Sequence, residues 1–190
     1  MAQTKKIHRR NAILNAASKL IAAQGLGAPT AKIAKAAGVS DGSLFTYFPE
    51  KDDLLNQLYV ELKVELRDAV LASYPRTGSL KQQARHLWDT LVDWGLNDPA
   101  KRRSMAQLNV SDRITPASRR AGMAGWDDLA IMMQKMAAKG SLRERPTAFS
   151  IKILLSLSEL TMDFILEFPK ESEAYHQAGF DAFWNALTKR

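Results

Sequence analysis

The stretch Thr30-Ala31-Lys32-Ile33-Ala34-Lys35-Ala36-Ala37-Gly38-Val39-Ser40-Asp41-Gly42-Ser43-Leu44-Phe45-Thr46-Tyr47-Phe48 decides how the chain reads. Ile33, Ala34 and Ala37 lie on one face of a short helix that Thr30 can cap and Gly38 ends. Leu44, Phe45 and Phe48 mark a second short helix after the Gly38-Val39-Ser40 connection. Two short helices joined by a glycine-containing turn follow the plan of the helix-turn-helix. In that plan the first helix crosses the nucleic-acid backbone, and the second sets its N-terminal residues against base edges in the major groove. The exposed start of the second helix offers Ser40, Asp41, Gly42, Ser43 and Thr46, small or polar groups able to approach bases closely. Such hairpins also occur in folds that bind no DNA, so spacing alone leaves both readings open.

Charge separates them. The chain carries 27 Lys and Arg against 20 Asp and Glu, a net +7. Residues 1–40 contain Lys5, Lys6, Arg9, Arg10, Lys19, Lys32 and Lys35 and no acid, so the whole excess sits in the first fifth of the chain. Like charges repel and oppose folding, and an anionic partner relieves that cost: nucleic acid or an acidic membrane surface. Binding by phosphate neutralisation should weaken steeply with salt. The arm Lys5, Lys6, His8, Arg9, Arg10 has two readings, a contact to the minor groove or flanking phosphates or a solubilising tail. The contact is favoured for Arg9 and Arg10.

Working outward, nearly everything reads as helix. Ile13, Leu14, Ala17, Leu20 and Ile21 form one helical face before Gly25 and Gly27. After Pro49, a long helix carries Leu54, Leu55, Leu58, Tyr59, Leu62, Leu66, Ala69 and Val70, and breaks at Tyr74-Pro75-Arg76-Thr77-Gly78. Further helices are expected at about 79–97, 100–108, 116–139, 147–168 and 172–189. No strand pair is expected. A hydrophobic fraction of 46% and a mean hydropathy of −0.25 suit a globular chain rather than a membrane protein. No apolar run approaches the roughly eighteen residues that would cross a bilayer. Asn11, Asn15, Ser18 and Lys19 interrupt any signal-like apolar core after the basic start. The absence of cysteine removes disulfides, thiolate metal sites and thiol catalysis, and agrees with a reducing cytoplasm. His8, His86 and His176 are scattered, and no GxSxG, GKS/GKT or paired-histidine motif occurs. An enzyme is therefore not expected, and neither a metal nor a cofactor.

The run from Thr30 to Leu55 resembles the DNA-binding domain of the tetracycline-repressor (TetR) family. The likeness covers roughly residues 8–60 and rests on the Ala37-Gly38-Val39-Ser40 turn, the aromatic pair before Pro49, and Lys51 opening the long helix. It implies an all-α chain: an N-terminal three-helix helix-turn-helix DNA-binding domain at 1–50, joined by a long helix to a C-terminal helical ligand-binding and dimerisation domain, 51–190 in all. It implies further that Thr30 caps its helix and contacts phosphate, that Ser40, Asp41, Gly42, Ser43 and Thr46 face the groove, and that Tyr47 and Lys51 grip phosphates. Phe45 departs from the family pattern, which has tyrosine there; a thymine methyl is its alternative contact. Asp41 either accepts from a cytosine amino group or caps the third helix.

The same resemblance makes Trp88, Leu91, Trp126, Met133 and Leu157 candidate lining residues for a small apolar or amphipathic effector. Ordinary core packing is the competing reading of each. Glu159 and Asp163 share one helical face, as a solvated surface or as a site for a cationic ligand. The helices at about 147–168 and 172–189 carry more apolar residues than one core stripe uses, which suggests a homodimer interface. The resulting expectation is a ligand-responsive repressor bound to a palindromic double-stranded operator, with no membrane partner. The helix starting at Lys51 is expected to act as the lever between pocket and reader. The alternative is a ligand-independent or activating DNA-binding regulator with a solid C-terminal core.

Overall fold

The structure, a computed structural model, describes residues 2–138 and 140–189, without the side chain of Ala2. Among the described residues there is no strand, and helix accounts for 78% of the chain, which fixes the class as all-α. Ten α-helices follow in order: α1 (Ala2–Gln24), α2 (Thr30–Ala36), α3 (Asp41–Tyr47), α4 (Lys51–Leu71), α5 (Leu80–Asn97), α6 (Pro99–Asn109), α7 (Pro116–Met123), α8 (Asp127–Ala137), α9 (Thr147–Glu167) and α10 (Ser172–Thr188), with a 3₁₀ turn at Pro169–Glu171. By packing, they form two compact units.

The first unit holds the chain up to Glu65 together with Asp98–Met123. Its core is Ile13, Ala17, Ile21, Ile33, Leu44, Phe48, Leu54 and Leu55, all at or near zero exposure. α1 packs on both α2 and α6. The α1–α6 seam contains buried hydroxyls as well as apolar groups: Ser104 Oγ donates to the Ser18 carbonyl at 2.5 Å, and Gln107 Nε2 donates to the Ile21 carbonyl at 3.2 Å. A buried hydroxyl must find such a partner, because desolvating it unpaired is unfavourable.

The second unit holds Leu66–Asn97 and the chain from Ala124 onward. Trp88 is fully buried, stacked on Phe183 at a 5.7 Å centroid separation and edge-on to Phe180 at 6.4 Å. α10 reaches this ring through Gly179. A Cβ there would lie 2.1 Å from Thr161 Oγ1 and 2.6 Å from Trp88 Cζ2, so only glycine permits the approach.

One expected element is corrected. The single helix at 116–139 is two, α7 and α8, and its expected last residue, Lys139, lies outside the described residues. Gly125 between them has φ +78°, outside the right-handed helical region, and Trp126 follows in a non-helical conformation as the residue before α8. At the chain start, residues expected as an arm or a tail continue α1 as helix back to Ala2. No described helix is long and apolar enough to cross a membrane.

Candidate nucleic-acid interface

The turn between α2 and α3 is built by local hydrogen bonds. Ala37 ends α2, and the next residue, Gly38, takes φ +68°. The Gly38 amide then donates to the Lys35 carbonyl (3.2 Å) and the Val39 amide to the Ala34 carbonyl (3.0 Å). This crossed pair is the Schellman termination, and it answers carbonyls that the helix end would leave open. Ser40 starts the next helix: its Oγ accepts from the Ser43 amide at 3.2 Å and donates to Ser43 Oγ at 3.0 Å. Leu44 and Phe48 anchor α3 from below.

Two capping expectations are corrected by this geometry. Thr30 does not cap α2; Pro29 holds that position, without a side-chain hydrogen bond, and Thr30 is the first helical residue, half-buried. Pro29 has its φ preset and no amide to satisfy, which suits a helix start. Asp41 does not cap α3 either, because Ser40 does; Asp41 stands exposed in the first turn, where a carboxylate opposes the positive end of the helix dipole.

What α3 presents follows from these bonds. Ser40 and Ser43 are engaged with each other, and Thr46 Oγ1 donates back to the Gly42 carbonyl at 3.1 Å. The Ser43 hydroxyl keeps its own proton, and Thr46 keeps lone pairs. Asp41 and Gly42 stand exposed, and Phe45 is 41% exposed. Tyr47 and Lys51 lie half-buried at the edge of the same surface. Burial lowers the pKa of Lys51, and Arg113 lowers it further. Arg113 arrives from far along the chain and is itself ion-paired to Asp52. It adds positive potential beside Lys51, and no sequence signal points to it.

Among the α1 candidates, Arg9 is exposed, but Arg10 Nη2 is occupied, donating to Gln57 Oε1 at 2.9 Å and to Glu61 Oε1 at 2.7 Å. A phosphate contact by Arg10 would compete with that pair. Lys5, Lys6 and His8 are exposed on the same helix.

The candidate effector residues fall differently. Trp88, Leu91 and Met133 are buried, whereas Trp126 and Leu157 are partly exposed. Trp88 Nε1, Trp126 Nε1 and Ser150 Oγ are enclosed without a hydrogen-bond partner. A surface cleft of about 840 Å³ lies elsewhere in the same unit, lined by Arg85, Asp89, Lys170, His176, Gln177 and neighbours. Glu159 and Asp163 both have interaction partners. No group of acids and histidines among the described residues could hold a metal ion. On α9, Phe149 (50% exposed), Leu160 (54%) and Phe164 (39%) recur at helical spacing, with Phe168 continuing the stripe.

A capped, polar helix held proud of an apolar hairpin, beside a wholly basic helix, defines a helix-turn-helix DNA-binding protein. Comparison with known proteins carries this to a family. The family model for bacterial regulatory proteins of the tetR family matches residues 13–58. A crystal structure assigned to the tetR family of transcription regulators, from Shewanella sp. PV-4, is 31% identical, covers 96% of this chain and 99% of its own, and superposes with a TM-score of 0.83. A TetR family regulator from Marinobacter aquaeolei VT8 is 25% identical over the full length of both chains, with a TM-score of 0.85. The TetR-like regulator LfrR from Mycobacterium smegmatis, solved in complex with proflavine, is 22% identical, covers 95% of each chain and shares the fold at a TM-score of 0.65. The chain belongs to the TetR family of bacterial transcription regulators.

Proposed function

We propose that this regulator is a homodimeric repressor that holds a palindromic operator until a small molecule releases it. The observation that carries the reading is the surface of α3: a rigid, capped helix start presenting Asp41, Gly42, Ser43, Phe45 and Thr46, with the positively charged Lys51 and Arg113 at its edge. Asp41 is placed to accept from a cytosine amino group, and Phe45 to meet a thymine methyl. Tyr47, Lys51 and Arg9 grip phosphates, which positions the reader without selecting sequence. Few long side chains reach from α3, so DNA shape and bridging water carry part of the selectivity.

The apolar stripe of α9 supports dimerisation, since contiguous exposed apolar surface marks an interface. A two-fold dimer pairs two identical readers, hence a palindrome. LfrR with proflavine is a precedent for a small molecule on this scaffold. Release requires the effector to favour a conformer that spaces the two readers wrongly; equal affinity for both conformers shifts nothing. α4 is the continuous helix through which such a shift would pass. The enclosure of Trp88, Leu91 and Met133 favours the second reading, a ligand-independent regulator with a solid core.

Selection of bound duplexes from a random pool tests the DNA reading, and a palindromic consensus is the expected result. On that consensus, Lys51→Ala should weaken binding to every sequence alike and reduce the salt slope by about one. Ser43→Ala should instead change which base is preferred. Uniform effects from both would contradict the division into grip and readout. Melting-temperature screens against small-molecule collections separate the two regulatory readings, since a solid core shows no stabilisation by any of them.

A further inference from the structure

Tyr59 and Lys63 stand one turn apart on α4, and α7 lies directly against them through Gly122. A Cβ at Gly122 would come within 2.9 Å of Tyr59 Cε1 and 3.1 Å of Lys63 Cγ, so the α7 backbone closes over both stems. Arg119, one turn earlier on α7, brings its guanidinium to the same corner. Its Nη1 donates to the Asn109 carbonyl at 3.0 Å and its Nη2 to the Ser111 carbonyl at 2.9 Å. Its charge also acts on the neighbouring Tyr59 phenol, opposing the rise in pKa that burial causes. The Lys63 ammonium lies 5.6 Å from the Tyr59 ring centroid.

Among the described residues the corner has no counter-charge. Glu61 and Glu65 flank Lys63 in sequence, but residues two apart point to opposite sides of a helix. Glu61 is bonded to Arg10 and Glu65 to Lys101, each at 2.7 Å. Among the described residues no carboxylate is paired with Lys63. Burial, and then Arg119, push the Lys63 amine down to about 8. Two cationic groups withdrawn from water without an acid between them are unfavourable, and an incoming anion offsets that cost. Perturbed groups of this kind concentrate at functional sites.

We infer that Tyr59, Lys63 and Arg119 seat the acidic group, carboxylate or phosphate, of the small molecule that regulates this protein, an inference that rests on the ligand-responsive reading above. Lys63 supplies N–H donors to the oxyanion. The Tyr59 hydroxyl adds a neutral O–H donor beside the ammonium. Arg119, committed to two carbonyls, contributes charge. The effector class is thereby an organic anion.

Side-chain NMR of the lysine amines in the full-length protein tests the seat, with the Lys63 signal assigned by its loss in Lys63→Gln. The probes are hexanoate, hexyl phosphate and the neutral hexanamide. Hexanoate or hexyl phosphate should move the Lys63 titration midpoint up by about one pH unit, equivalent to about tenfold tighter anion binding to the charged amine. Hexanamide should leave it in place, and the anion with the larger effect identifies the acid. Lys63→Gln, checked for folding by its melting curve, should bind the acid and the amide alike. A midpoint unmoved by both anions overturns the seat, whatever the variant does. If an anion moves the midpoint but leaves operator binding intact, the seat stands and the regulatory reading fails. If a neutral compound releases the operator while Lys63 ignores anions, the regulatory reading stands and the seat fails.

Discussion

The α2–α3 hairpin and the packing around Trp88 solve opposite problems with the same residue type. In the hairpin, glycine serves conformation and openness: Gly38 turns the chain at positive φ, and Gly42 has no atom within 4 Å of where a Cβ would sit. Around Trp88, glycine serves contact: Gly179 is where α10 presses onto Thr161 and the indole. The first arrangement is held by hydrogen bonds between residues at most five apart. The second is held by side chains meeting from α5, α9 and α10. The turn that presents a surface to DNA is thus set by bonds within its own segment, above apolar anchors shared with the rest of its unit, whereas the packing around Trp88 is set by distant parts of the chain.

The comparison is most exposed to failure at Gly179. Gly179→Ala forces a methyl into atoms that are themselves buried and should destabilise the fold by about 1–3 kcal/mol, read from the denaturant midpoint. Its duplex preference should not change; an altered consensus would show that the two regions are not separately specified. The same substitution at Gly42 should have the opposite sign. Gly42→Ala meets open space within a helix and should stabilise by roughly 0.5 kcal/mol, while its added methyl changes base preference. Loss of stability there would mean that the hairpin depends on close approach after all. A pH-dependent effect belongs to Lys63. Its folded pKa of about 8 lies below its ordinary value of 10.5, so between those limits the unfolded chain holds the proton and the folded chain has released it. Stability should therefore rise as pH climbs through that window, and Lys63→Met should flatten the slope in pH-dependent urea titrations.

Much of the fold and of the reader was legible because the signals are local. Gly38 stopping α2, the apolar anchors Leu44 and Phe48, and Lys51 opening α4 all stand in the structure where their spacing places them. The errors are local too, and small: a neighbouring residue takes the cap at Pro29 and at Ser40, because proline presets a helix start and a serine hydroxyl reaches the amide three residues on. Gly125 is a breaker that the expected helix at 116–139 ran across, and its positive φ splits that helix. The pairing of Arg10 with Glu61, the approach of Arg113 to Lys51 and the isolation of Lys63 were not legible. Each depends on which helices meet, and periodicity within one helix carries no information about its neighbour.

The seam between α1 and α6 bears on any attempt to transplant the reader. Cutting after Tyr47, or even after the segment that the family model spans, would strip α1 of Ser104 and Gln107 and open Ile21 and its neighbours to water. A chimera that grafts this specificity onto another regulator must carry Asp98–Met123 with it, or rebuild the α1 face it leaves bare.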